Sequence, residues 1–222
     1  MKIIYLHQYF NTPEMAGGTR SYEMARRLVA AGHEVHMITT DRSNQHEEFT
    51  WRVSEEAGIT VHWIAVPYSN KMSFLQRIKS FFSFAFKARK KAASLGGDVV
   101  FATSTPLTIA IPGVYAAKKN KIPLVFEVRD LWPDVPIALG ALKDPISRFL
   151  AKRLERYAYD NSSHIVALAP GMRDEIIAKG YDHKEFTVIP NGSDLDIFKV
   201  APSQGEKIRK NNSWLCDRPL LI

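Results

Sequence analysis

The run Glu127-Val128-Arg129-Asp130-Leu131-Trp132-Pro133-Asp134 closes an apolar stretch that begins at Ile122, so three charges and a tryptophan fall around the C-terminal end of a strand. That end is where an open α/β sheet presents groups to a ligand. A carboxylate there can take a proton from a substrate hydroxyl, and a guanidinium can hold a phosphate or carboxylate in bidentate fashion. The plainer reading is an Arg129–Asp130 ion pair that only orders the loop. Ser104 and Thr105 end the preceding apolar run, Asp98 to Ala102, and either hydroxyl is placed to cap the helix entered through Pro106. Pro112 is expected to kink that helix.

A second candidate lies near the N-terminus. Gly17-Gly18-Thr19 opens a helix after the first apolar run, Ile3 to Leu6. Glycine lets the backbone approach a ligand closely, and the free amides and dipole of a helix N-terminus attract phosphate. The alternative is a tight loop that needs only glycine's dihedrals. Neither GxGxxG nor GxxxxGK[ST] occurs, so the common dinucleotide and P-loop fingerprints are absent.

A third candidate is the helix expected from Met72 to Leu95. Phe74, Leu75, Ile78, Phe81, Phe82 and Ala85 form one apolar stripe, with Phe86 at its edge. Phe84 projects away from that stripe, on the side of Arg77 and Lys91, and the segment from Lys71 to Lys91 carries seven basic residues and no acidic one. An aromatic among cations suits contact with an anionic membrane, with Arg77, Phe84, Lys87 and Lys91 as the contact residues. A core helix with a solvated basic face is the plainer alternative. Lys152, Arg153 and Arg156 on a later helix would extend the basic surface. Asn191-Gly192, after the apolar run ending at Ile189, is a turn signal or a hinge. The histidines show no metal-ligand spacing, and His33 and His36 are expected to pack or to face solvent.

These residues need elements to position them. Strands are expected at residues 3–6, 34–40, 60–66, 98–102, 122–128, 164–169 and 186–189, alternating with helices, while Arg42 to Glu56 is polar, lacks a period and reads as a loop. The economical architecture is a doubly wound, mainly parallel, seven-stranded Rossmann-like sheet with helices on both faces. Residues 1–190 would form that domain. Residues 191–222, ending in the strand-like Arg218-Pro219-Leu220-Leu221-Ile222, would be a linker and the start of a second domain in a longer protein.

A net charge of +7 suits anionic surfaces or substrates, and the single cysteine, Cys216, excludes an internal disulfide or a zinc ribbon. Met1-Lys2 runs straight into a strand, and no apolar run approaches the ~18 residues of a membrane span. A cytoplasmic protein, peripheral on the inner face of the cell membrane, is the resulting expectation.

In their order, the Gly17-Gly18 loop, RRLVAAGHEVHMIT, DVVFATSTP, FEVRDLWPD and IPNGSDLDIF resemble the N-terminal, acceptor-side domain of GT-B fold retaining glycosyltransferases of family 4. The resemblance spans nearly the whole chain. It implies one of two Rossmann-like domains, with a nucleotide-diphosphate sugar as donor substrate and no further cofactor or metal. It also implies Gly17, Gly18 and Thr19 at the donor diphosphate, and Asp130 with Arg129 beside the reacting centre. Glu127, Trp132, Ser104 and Thr105 would bind the acceptor, and Asn191 and Gly192 would form the interdomain hinge. The glutamate pair of the second domain is absent from this sequence, so the chain alone is expected to be inactive. The RDLWP variant is most similar to bacterial transferases that build surface polysaccharides such as O-antigen, including N-acetylfucosamine-type enzymes, whose glycan acceptors are often lipid-linked. Nucleic acid is not among the expected partners. Two alternatives stand beside this reading: a non-catalytic membrane- or glycan-binding module, and a Rossmann oxidoreductase or epimerase, which the missing GxGxxG disfavours.

Overall fold

The computed structural model describes residues 1–42, 50–69, 72–140, 142–193 and 202–215. Among these residues eight strands form one sheet in the order β3-β4-β2-β1-β5-β6-β7-β8. They are β1 (Lys2–Leu6), β2 (Glu34–Asp41), β3 (Trp51–Glu56), β4 (Ile59–Ala65), β5 (Val99–Thr103), β6 (Leu124–Val128), β7 (His164–Ala167) and β8 (Glu185–Val188). The helices are α1 (Arg20–Ala30), α2 (Phe74–Leu95), α3 (Ala110–Asn120), α4 (Asp134–Ala138), α5 (Pro145–Asp160), α6 (Pro170–Ile176) and α7 (Pro202–Asn211). All pairings are parallel except β3 with β4.

The central strands are buried on both faces, which is why they read as continuous apolar runs. In β1, Ile3 and Tyr5 join one core with Val35, Met37, Val61 and Trp63, against Ala25 of α1. Ile4 and Leu6 join the other core, with α2, α3, α5 and α6. The division of helices follows from right-handed crossovers. The step from β1 to β2 runs one way along the sheet and puts α1 on one face; every step after β4 runs the other way and puts α2, α3, α5 and α6 on the opposite face. The direction reverses between β1 and β5, and ligands of such sheets bind beyond the strand ends at that point.

Several boundaries follow from local chemistry. Ser73 caps α2 by accepting from the Gln76 amide while the Gln76 side chain accepts from the Ser73 amide, a reciprocal box. Asp144 caps α5 by accepting from the Ser147 amide at 2.7 Å, with Pro145 in the first turn. Pro112 lies in the first turn of α3, where a missing N–H costs little. The structure also departs from the sequence reading. Residues 51–56, read as loop, form the antiparallel edge strand β3, which raises the strand count from seven to eight.

The expected membrane face of α2 needs correction. Phe84 is 0% exposed and sits in the core. Residues 81–86 are apolar almost all round, so period alone does not orient this helix; the small residues Ala85, Ala88, Ala92 and Ala93 do, because they pack closely inside. The outward positions are Leu75 (77% exposed), Phe82 and Phe86 (51%). Lys87 donates to the Ala65 carbonyl at 3.2 Å and Lys91 lies over the Trp51 ring, so both serve the β3–β4 edge. Arg77 is half-buried, with its charge acting on the Tyr9 hydroxyl.

The chain divides into two compact units, Met1–Pro190 and Asn191–Ile222. Asn191 and Gly192 are exposed at the start of the second, whose described part holds α7. Asp194 to Phe198 lie outside the described residues.

Candidate active site

The C-terminal ends of β1, β2, β5 and β6 carry the polar cluster. Glu127, near the end of β6, is 0% exposed, and its Oε1 accepts from Nε and Nη2 of Arg20, at 3.1 and 2.8 Å. Its Oε2 accepts from the Thr103 hydroxyl at 3.0 Å. The same guanidinium donates to the carbonyls of Ile189 and Pro190, each at 2.8 Å. Arg20 therefore ties the start of α1 to β6 and to the chain that leaves β8. Tyr5 lies under this pair, and burial first, then the Glu127 charge, push its hydroxyl pKa up.

A buried carboxylate bonded on both oxygens cannot touch a substrate, so Glu127 is a scaffold residue and not an acceptor contact. Ser104 is corrected in the same way: it is buried, and its hydroxyl accepts from the Arg129 amide at 2.9 Å. Neither Ser104 nor Thr105 caps a helix, because a 3₁₀ turn, Leu107–Ile109, intervenes before α3. Their hydroxyls bind the β6 loop instead.

Asp130 is exposed, and among the described residues its side-chain hydrogen bond is to the Thr105 hydroxyl, 2.9 Å from Oδ2. Arg129 does not pair with it; its Nη1 lies 3.4 Å from Nε2 of His7. The ion pair that would only order this loop is thus absent. Trp132 is half-buried and packs against the larger core.

The Gly17-Gly18 loop reaches the same rim. Gly17 adopts φ of +133°, and a Cβ there would lie 2.4 Å from Nδ2 of Asn11. That side chain donates to the Gly18 carbonyl at 3.3 Å and accepts from Arg42. A Cβ at Gly18 meets nothing within 4 Å. Thr19 begins α1 without a side-chain cap, which leaves first-turn amides open to an anion. Arg20 links this loop directly to Glu127, three residues before Asp130.

Two residues escaped the sequence reading. Arg20 had a signal: a cation in the first turn of a helix opposes the dipole, so it calls for a specific acidic partner. His7 follows β1 at the topological reversal and is buried; desolvation, then the charges of Arg129 and Arg42, lower its pKa to about 3 and keep the ring neutral. Among the described residues no three of His, Cys, Asp and Glu gather as a metal site requires.

Comparisons with known proteins agree with this architecture. The fold is similar to one domain of three solved structures. Sucrose-phosphate synthase from Thermosynechococcus elongatus matches with a TM-score of 0.68 at 13% identity, over 94% of this chain and 52% of that one. Anabaena HepE in complex with UDP and glucose matches at 0.56 and 17% identity, over 95% and 50%. A UGT transferase from Siraitia grosvenorii in complex with UDP matches at 0.53 and 11% identity, over 98% and 56%. The chain thus spans about half the length of these structures, and it has the form of one Rossmann-like domain of a GT-B glycosyltransferase. No curated protein matches in sequence. One family profile matches residues 16–192, and on that span the chain belongs to the glycosyl transferase 4-like domain family.

Proposed function

We propose that this chain is the acceptor-side half of a retaining glycosyltransferase that moves a sugar from a nucleotide-diphosphate sugar to a lipid-linked glycan acceptor, in bacterial surface-polysaccharide synthesis. The carrying observation is that the open Gly18 and uncapped α1 N-terminus share one rim with the exposed carboxylate of Asp130. In the transfer, the bond from the anomeric carbon to the diphosphate oxygen breaks and a bond to the acceptor oxygen forms, while the acceptor proton leaves with the diphosphate. The α1 amides would hold the departing charge, and Asp130 would orient hydroxyls at the reacting carbon without acting as nucleophile. UDP in HepE and in the Siraitia transferase supports a nucleotide donor. The RDLWP resemblance favours an N-acetylated deoxysugar. By itself the chain would be inactive.

The two glycines separate folding from donor binding. Gly17→Ala is expected to cost about 1–3 kcal/mol of stability, since its dihedral is strained for alanine and Asn11 must give up its bonds. Gly18→Val, with open space, should leave the melting temperature nearly unchanged yet weaken UDP-glucose binding roughly tenfold by filling the donor approach. Calorimetric titration of the two-domain enzyme that would contain this chain, with UDP-glucose and a UDP-linked N-acetylated deoxysugar, decides: a wild type that binds neither would favour a non-catalytic module.

The same reading places the protein on an anionic membrane, through a face different from that of Phe84. Helices α2, α3 and α5 lie side by side. Outward from them project Leu75, Phe82 and Phe86, then Ile146, Phe149 and Leu150. Exposed Lys79, Lys90, Lys152, Arg153 and Arg156 accompany them, and Arg89 lies 5.1 Å over the Phe86 ring. Apolar anchors among cations suit anionic headgroups. Among the described residues no helix is long and apolar enough to cross a membrane. Phe82→Ser with Phe86→Ser should reduce flotation with anionic vesicles roughly tenfold while the fold is kept. An unaltered bound fraction would remove this face from consideration.

A further inference from the structure

We infer that Arg42, Arg129 and His7 form an oxyanion site that holds the phosphate of a lipid-borne acceptor, and that Tyr9 and Phe81 lead from it to the apolar face of α2. The proposal rests on the transferase reading only for calling that lipid the acceptor.

The charges at this rim do not cancel locally. Among the described residues Asp41 meets Arg52 at 3.4 Å, Glu127 meets Arg20, and Asp130 accepts from the Thr105 hydroxyl and not from Arg129. Among the described residues neither Arg42 nor Arg129 forms an ion pair. The charges of both guanidinium groups act on the one buried imidazole, an arrangement that an anion can join.

His7 supplies a directional donor. A guanidinium only donates, so Nε2 accepts from Arg129 and the ring proton belongs on Nδ1. That nitrogen is buried without a hydrogen-bond partner, as are both amide atoms of Gln8, the next residue. A buried donor left unmet calls for a partner, and a bound anion would supply one.

The direction toward lipid comes from aromatic contacts. Arg42 lies 5.9 Å over the Tyr9 ring, which packs on Tyr68 at 4.9 Å and on Phe81 of α2 at 6.4 Å. Phe81 neighbours the exposed Phe82. A phosphate at the arginines would therefore have its hydrocarbon run onto the face that carries Leu75 and Phe82. A free nucleotide has no group to use that path.

The test is calorimetric titration of the 222-residue chain with farnesyl diphosphate, inorganic pyrophosphate and UDP. Farnesyl diphosphate should bind more tightly than pyrophosphate, and Arg42→Met and Arg129→Met should each weaken it tenfold or more. Arg129→Lys, which keeps the charge but not the planar fork, should weaken it clearly less than Arg129→Met does, which separates lost contact from lost fold. Saturating UDP should not displace the lipid. The proposal is overturned by no binding, by wild-type affinity in both methionine variants, or by pyrophosphate binding as tightly as the lipid. Displacement by UDP would also overturn it, because the arginines would then belong to the donor. Arginine-dependent lipid binding by this chain, together with no nucleotide-sugar binding by the two-domain enzyme that would contain it, would uphold this site and defeat the transferase reading.

Discussion

On the transferase reading, Asp130→Asn in the full-length two-domain enzyme, assayed by nucleotide release, is expected to lower turnover about a hundredfold or more, with the dissociation constant for the nucleotide sugar changed less than about twofold. The substitution is well controlled by its surroundings. The Thr105 hydroxyl that donates to Oδ2 can donate equally to an amide oxygen, so the loop keeps its geometry and only the charge is lost. Because Asp130 is exposed and Arg129 is engaged with His7, no compensating cation is stranded by the change. A carboxylate that only ordered the loop would show the reverse pattern, with a lower melting temperature and intact turnover. Turnover within about threefold of wild type would end Asp130's assignment to the reacting centre.

Arg20→Met is expected to destabilise the protein by about 3–5 kcal/mol, since it leaves the Glu127 carboxylate buried without its countercharge. For a domain of this size that is a fall in melting temperature of roughly 10 °C. Attraction between surface charges would be worth far less, and burial decides the difference: Glu127 is fully enclosed, and the Arg20 fork spreads its hydrogen bonds over that carboxylate and two carbonyls. The double variant Arg20→Met with Glu127→Gln should recover about half of the loss, as the charge disappears and the Thr103 hydroxyl keeps an acceptor. A loss below about 1 kcal/mol in Arg20→Met, by urea unfolding, would show that the pair does not hold α1 to β6.

The parallel core was legible because each buried strand is an unbroken apolar run, and α5 was legible because Asp144-Pro145 is a start signal in itself. β3 was not: Arg52, Glu55 and Glu56 leave it without alternation, and its pairing is decided by β4, not by its own residues. Helix α2 was found but turned to the wrong side, since five of the six residues 81–86 are apolar and tertiary packing of the alanines downstream chose the face. At the site, residue types indicated the region, while sharing of partners decided the roles. Glu127 and Asp130 look alike in sequence, yet one is consumed by Arg20 and Thr103 and the other faces outward. No spacing rule reveals that Arg20, more than a hundred residues earlier, meets Glu127; it depends on β1, β5 and β6 lying side by side.

The charges that disguise β3 have a use of their own. An outermost strand offers a row of unpaired backbone amides and carbonyls to any passing chain, and Arg52, Glu55 and Glu56 make that offer unattractive to a second sheet. Neutralising those three positions would turn the rim beside β4 into a template for stacking copies of the protein end to end.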